Sequence, residues 1–600
     1  MGCDHLDGLL IRFIPNPFNP APAPCRAGFF FATAGRSASF LSLVPPDNAN
    51  IARHLSLMAA CQPHTAALKV PRGRTRDGDI DYLALSFADL DAEVAAWRTD
   101  LAARGVKRGD RVLVMVKPGL PLIAAAFALF GLGAVPVVID PGMGLKSFLS
   151  CVERSQPRVL LGIPLAQVVS RIFRKPFRSV ALRIRVSGSS TARLRSGSQL
   201  STLNSQLAAS AASDLAAVLF TSGSTGAPKG VCYTHGMFDA QVDLIRAAYD
   251  IQPGEIDLPM LPVFALFNPA LGMTTIVPEI DPSHPARVDP AKILQAIRQE
   301  KVTSSFGSPT LWRKISVHCH AHHATLPTMK RVLCAGAPVP PDLWALMASV
   351  LPNGTLHSPY GATEALPVSS ISALEVIAGT AIATEHGAGT CVGRVLSANE
   401  VKIIAITDGS IATLADAREL PSGKIGEIIV RGPTVTHEYD ALPEATAAAK
   451  IADASGAIWH RMGDLGYFDG EARLWFCGRK AERVETRDGP LYTEQVEPLF
   501  VPHPEVRRAA LIGLGERGRE RAALVIEPVS ADSIFSSADC RRLARELRTI
   551  ALRHPHTAGI KLFYFKKKFP VDVRHNAKIH RLALARWAAN DVGYESDPKR

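Results

Sequence analysis

Residues 215–235 read LAAVLFTSGSTGAPKGVCYTH. The six apolar residues LAAVLF have the pattern of a buried strand. GVCYTH alternates like a second strand and leads to a helix capped near Thr234. Between them lies TSGSTGAPKG, with three glycines, four hydroxyl side chains, one proline and one lysine. Gly223 and Gly226 let the backbone take positive φ and approach a ligand closely. Successive main-chain N–H groups then form an anion-binding nest. Thr221, Ser222, Ser224 and Thr225 add hydroxyl donors, and Lys229 adds a mobile charge suited to phosphate. The loop is expected to cradle a polyphosphate. It is not a Walker A loop, because Lys229 follows Pro228 and Gly230 stands where that pattern needs Ser or Thr. A flexible Ser/Gly turn is the other reading of the loop alone, but it does not account for the proline and lysine.

Upstream, LSFADLDAEVAAWRTDLAARG reads as an amphipathic helix ending at Gly105, and RVLVMVK (111–117) and RVLLGI (158–163) read as strands. PLIAAAFALFGLGAVPVVI (121–139) is uncharged and long enough to span a bilayer. Gly131, Gly133 and Pro136 interrupt it, so a buried helix (120–132) and a buried parallel strand (135–139) are expected instead. Strand, helix and strand at this spacing give an α/β fold with a parallel sheet. The Ser-rich run 187–213 reads as a surface connection. EVKIIAI (400–406), KIGEIIVRGP (424–433) and RLWFCGR (473–479) read as a β subdomain, and a compact module follows Arg479.

The chain has 600 residues, too many for one core. Its net charge is +12, but the charge is spread out, with modest concentrations at 170–185 and 566–568. No basic motif is interleaved with aromatics, so a nucleic-acid partner is not expected. Ten cysteines without a CxxC pair fit free thiols in a reducing, cytoplasmic compartment. HCHAHH (318–323) lacks a second ligand pair at zinc spacing and reads as a helix end and loop. Residues 1–48 lack the marks of a secretory signal and read as a disordered extension or a mis-assigned start.

The run around TSGSTGAPKG resembles the signature of the adenylate-forming superfamily, which includes acyl-CoA synthetases, peptide-synthetase adenylation domains and luciferases. Further motifs stand in that family's order: GAPVPP (336–341), YGATE (360–364), GKIGEIIVRGPTVTHEYDALPEAT (423–446), MGDLGYFD (462–469), GRKAERVE (478–485) and NAKIHR (576–581). The resemblance covers roughly residues 49–590. It implies a large N-terminal domain (49–478) of parallel-rich sheets flanked by helices plus a β subdomain. It also implies a small mobile α+β C-terminal domain (479–600). The implied activity is that of an AMP-forming ligase using ATP and Mg²⁺.

The same resemblance assigns roles. Gly336, Ala337 and Pro338 form the adenine-contacting turn, and Tyr360, beside Gly361, offers a ring to stack on adenine. Thr363 and Thr225 face the phosphates, and Glu364 is the magnesium ligand. Asp464 accepts the ribose hydroxyls, Arg479 reaches the ribose, and Lys578 is the catalytic lysine of adenylation. In isolation Tyr360 reads equally as core, Asp464 as a turn residue, and Lys578 as an exposed lysine.

Four stretches, 257–272, 358–368, 474–498 and 569–579, look closer to one branch, the β-lactone synthetases of bacterial long-chain olefin biosynthesis. That branch implies adenylation of a 2-alkyl-3-hydroxy fatty acid, then attack of its own 3-hydroxyl on the acyl carbonyl. It also implies neighbours in a multi-enzyme assembly, a thiolase, a reductase and a lactone decarboxylase, with peripheral membrane association through that assembly. Phe264, Leu266 and Phe267 suit an apolar tunnel and read equally as core. The alternative is a fatty acyl-CoA or acyl-AMP ligase. The usual hinge Asp or Lys is replaced by Ala481, and Glu485 stands where lysine is common, which weighs against a thioester-forming rotation. A non-catalytic assembly component is the third reading, disfavoured by the presence of Lys229, Glu364, Asp464, Arg479 and Lys578.

Overall fold

A computed structural model describes residues 48–186, 206–221, 228–281, 287–534, 536–571 and 579–596. The expected N-terminal extension (1–47), most of the Ser-rich connection, the loop tip 222–227 and the Lys578 segment lie outside the described residues.

LAAVLF and GVCYTH form the expected hairpin. Leu215–Thr221 pairs antiparallel with Lys229–Thr234, with Thr221 opposite Lys229. Thr234 caps the next helix, its side chain accepting from the Met237 N–H. The hairpin closes one side of a six-stranded sheet. Its other strands are Leu182–Arg185, Val159–Gly162, Arg111–Met115 and Val135–Ile139, all parallel to Leu215–Thr221. Successive residues of Arg111–Met115 serve opposite faces. Val112 and Val114 pack with Phe127 on one side, and Leu113 packs with Phe148 and Val152 on the other.

The uncharged stretch at 121–139 resolves as expected into a helix, Leu120–Gly131, and a parallel strand, Val135–Ile139. The helix is apolar all round because it is buried, from Ile123 to Gly131 without a break. Among the described residues no helix is long and apolar enough to cross a membrane.

A second, 14-stranded sheet is parallel at its centre, where Ile256–Asp257, Ser304–Gly307, Arg331–Cys334 and Thr355–Ala362 lie side by side. The three β-rich runs at 400–479 form its antiparallel end, joined to the centre through Thr390–Val395. After Arg479 comes a short hairpin and a four-stranded sheet. Helix Ser537–Ala551 covers one face of that sheet through Leu543 and Leu547, and helix Arg581–Ala588 covers the other through Leu584.

Eight cysteines fall among the described residues, all free and all but Cys61 buried. HCHAHH closes the helix Pro309–Ala321. No group of His, Cys, Asp or Glu that could hold a metal occurs among the described residues.

Candidate active site

Two hairpins and one connecting segment build the site. The first is the loop hairpin already described. The second pairs Thr355–Ala362 with Ala365–Ser372 and carries the YGATE motif. Thr363 and Glu364 form its turn. Gly361 stands where a Cβ would meet the Ala365 carbonyl at 2.6 Å, so the tight return of this hairpin requires glycine.

Residues 434–440 run between the two hairpins. Val435 bridges to Ala365, and Tyr439 bridges to Val231. The Thr436 N–H donates to the Glu364 carbonyl (2.9 Å), and the Asp440 N–H donates to the Gly230 carbonyl (2.7 Å). Arg111, at the start of its strand, holds Asp440 with two hydrogen bonds of 3.0 and 2.7 Å. Tyr233, on the loop hairpin, donates to the Thr363 carbonyl. The strand Lys229–Thr234 and the Glu364 turn are therefore locked to each other through backbone and buried side chains.

Within this frame Tyr439 is central. Its hydroxyl donates to Glu364 Oε1 at 2.7 Å. The Lys229 ammonium sits 4.5 Å from its ring centroid and the Lys450 ammonium 5.8 Å away. Burial, with Glu364 adding, holds the Tyr439 phenol above its ordinary range, so it stays a donor. Lys450 is itself buried and donates to the Thr436 carbonyl. Burial pushes its ammonium down to about 7, with Glu364 opposing the fall and Lys229 adding to it. Glu364 is a half-buried hard carboxylate with one oxygen fixed by Tyr439 and two lysines close by. That chemistry fits a Mg²⁺ ion, which a hard carboxylate oxygen would hold.

A second cluster lies along the same hairpin. The Tyr360 hydroxyl donates to Asp464 Oδ2 at 2.7 Å, and Arg479 Nη1 reaches Asp464 Oδ1 at 2.8 Å. Asp464 and Arg479 face each other across adjacent strands. Burial and Asp464 raise the Tyr360 phenol well above its usual range. Gly336 adopts φ +94 just past the strand Arg331–Cys334. That strand lies parallel beside Thr355–Ala362 and pairs Leu333 with His357. Gly336, Ala337 and Pro338 follow the strand next to the one that bears Tyr360.

The structure brings together Lys229, Gly361, Thr363 and Glu364 at one pole and Tyr360, Asp464 and Arg479 at the other, while Gly336, Ala337 and Pro338 lie just past the neighbouring strand Arg331–Cys334. Thr221 ends its strand at the loop's base. Ser222, Gly223, Ser224, Thr225, Gly226 and Lys578 lie outside the described residues. Phe264, Leu266 and Phe267 share one short turn and are partly buried against the main core. Phe264 stacks on Phe306 (centroids 3.6 Å apart) and Phe267 on Phe238 (5.0 Å). Pro262 and Ala265 of the same turn line an apolar cleft with Ile123, Met260, Val277 and Ile280. Sequence reasoning missed Tyr439 and Lys450. Tyr439 stood inside a quoted motif, whereas Lys450 had no signal, since nothing local marks a lysine for burial.

A family profile described as AMP-binding enzyme matches residues 59–440. An olefin beta-lactone synthetase from Xanthomonas campestris pv. campestris is 47% identical over 554 residues, covering 90% of this chain and 97% of its own. Another from Stenotrophomonas maltophilia is 45% identical over 556 residues, covering 90% and 98%. Among solved structures, the amide bond synthetase McbA from Marinactinospora thermotolerans superposes with a TM-score of 0.71 at 22% identity, over 90% of this chain and 99% of its own. That likeness shows the fold.

Proposed function

The chain belongs to the AMP-binding enzyme family of adenylate-forming, ATP-using ligases, and from that premise we propose that it makes a β-lactone from a long-chain 2-alkyl-3-hydroxy fatty acid. The observation that carries this reading is the 47% and 45% identity to two olefin beta-lactone synthetases across 90% of the chain.

In the first step a carboxylate oxygen attacks the α-phosphorus of ATP and pyrophosphate leaves. Tyr360 and the turn at Gly336–Pro338 flank the adenine, while Asp464 and Arg479 hold the ribose. The loop donors, Lys229 and Thr363 hold the phosphates, and Lys578 bridges the carboxylate and α-phosphate. Glu364 would hold Mg²⁺, which supplies charge neutralisation on the phosphates. Position and preorganised charge do most of the work. In the second step the 3-hydroxyl oxygen attacks the acyl carbon, AMP leaves, and the hydroxyl proton passes to solvent. The apolar cleft beside Pro262 and Ala265, and the aromatic turn at Phe264, Leu266 and Phe267, suit the alkyl chains.

No second acceptor is required, which agrees with a hinge whose neighbours are tied down. Lys480 donates to both Glu427 oxygens (3.0 and 3.1 Å), and Arg483 pairs with Asp408 and Glu485. On this reading the partners are enzymes that supply the hydroxy acid, a thiolase and a reductase, and a decarboxylase that consumes the lactone. The test is product analysis of the purified protein with Mg·ATP and a 2-alkyl-3-hydroxy fatty acid, with and without CoA. A β-lactone that forms equally without CoA is expected. A thioester that forms only with CoA would move the chain to the acyl-CoA ligases.

A further inference from the structure

The helix Pro164–Ile172 turns most of its large aliphatic residues outward. Its buried positions are Ala166, Gln167 and Ser170, with Val169 partly buried against the same core. Gln167 spends its amide on the Gly162 and Ile184 carbonyls (3.3 and 3.0 Å), and Ser170 accepts from Arg183 (3.1 Å). Its outward positions are Leu165, Val168 and Ile172, exposed by 66%, 49% and 66%. Their spacing of three and then four residues puts them on one stripe of the helix. A helix that serves only as cover for a sheet buries its large aliphatic residues; this one packs only Val169 partly against the core and leaves the other three exposed.

The segment that carries the stripe has one sign of charge. Between Glu153 and Asp214 the chain has no acidic residue and ten basic ones. Of these, Arg171, Arg174, Lys175 and Arg178 are exposed on and just after the helix. An apolar stripe rimmed by cations matches an interface of hydrocarbon beneath anionic headgroups. A nucleic acid would use the cations but leave the aliphatic stripe unsatisfied.

The position is also informative. The strand preceding the helix, Val159–Gly162, runs in the same direction as Leu215–Thr221. The helix therefore starts at the sheet edge from which the phosphate loop emerges, with Leu165 in its first turn.

We propose that the exposed face of helix Pro164–Ile172, with Arg171, Arg174, Lys175 and Arg178, docks the protein on an anionic lipid bilayer. Three aliphatic side chains and a basic rim give weak, reversible binding, strengthened by anionic lipid and weakened by salt. The inference goes beyond the catalytic reading and can be tested without it.

The experiment is co-sedimentation of the full chain with phosphatidylcholine vesicles and with vesicles that also contain phosphatidylglycerol. The wild type is expected to sediment with the mixed vesicles, not with phosphatidylcholine alone, and to be released by salt. Leu165→Glu combined with Ile172→Glu is expected to weaken binding by about tenfold or more, with the melting temperature and ATP–pyrophosphate exchange unchanged. Arg171→Glu combined with Arg174→Glu is expected to remove the preference for anionic lipid. The proposal is overturned if the wild type sediments with neither vesicle or with both equally. It is also overturned if the Leu165/Ile172 variant binds as the wild type does, since another surface would then be responsible. A light-scattering mass that falls in that variant would assign the stripe to a second copy of the chain instead.

Discussion

Tyr439 is positioned by two lysines and in turn positions Glu364, and this chain of contacts can be tested one atom at a time. Tyr439→Phe keeps the ring and removes the hydrogen bond to Glu364. A single buried hydrogen bond contributes about 1 kcal/mol, so the melting temperature should fall only slightly. If Glu364 holds the cation, the Mg²⁺ concentration for half-maximal ATP–pyrophosphate exchange should rise several-fold; an unaltered titration would show that the hydroxyl does not position the carboxylate. Lys450 offers a pH test. The unfolded chain keeps its lysine proton up to about 10.5, whereas the folded chain loses it near 7. Between those values the unfolded state binds the extra proton, so this residue makes folding stability rise with pH across the window. Lys450→Met should remove a rise of up to about 1.4 kcal/mol per pH unit, read from denaturant unfolding at several pH values between neutrality and about pH 10. Neither residue stood out in the sequence as a participant, because what matters is what lies behind them. Tyr439 meets Glu364 from 75 positions away.

At the scale of elements, local pattern carried far. The loop hairpin, the Thr234 cap and the split of 121–139 into helix and strand all follow from composition and spacing over a few residues. Strand partners did not follow, because pairing is settled by packing against neighbours distant in the chain. The runs at 400–406, 424–433 and 473–479 read as a β subdomain, and the structure shows that this subdomain continues the sheet carrying the YGATE hairpin. That hairpin bears Tyr360, Thr363 and Glu364, so its turn sets the spacing between the Tyr360–Asp464–Arg479 cluster and the Glu364–Tyr439 cluster. Gly361→Ala would force a Cβ to 2.6 Å from the Ala365 carbonyl. Backbone must then shift, at a cost of about 1–3 kcal/mol. The expected result is a lower melting temperature together with a raised KM for ATP. A normal KM with a lower melting temperature would separate the turn's structural role from its binding role.

At the scale of the whole molecule, Arg581 ties the helix Arg581–Ala588 back to residues about a hundred positions earlier. It pairs with Glu482 (2.9 Å) and Glu497 (2.6 Å), and all three side chains are largely buried. Arg581→Ala leaves two buried carboxylates without their partner, which costs about 3–5 kcal/mol. Arg581→Lys should restore little of it, since an ammonium cannot reproduce the forked geometry; calorimetry of the two variants checks both statements. Lys578→Ala, three residues earlier, should instead abolish adenylation while the melting temperature stays unchanged. By itself the sequence determined the α/β class, the hairpin that carries the TSGSTGAPKG loop and the ordered motifs of an adenylate-forming ligase. Those properties reside in short contiguous runs, where spacing alone fixes backbone conformation and chemistry. Only the tertiary structure decided that residues 434–440 lock the two hairpins together, that Lys450 is buried beside Glu364, and that the Pro164–Ile172 helix turns its aliphatic side outward. Each of these depends on which surfaces meet, and burial is a property of the assembled chain, so no local stretch encodes it.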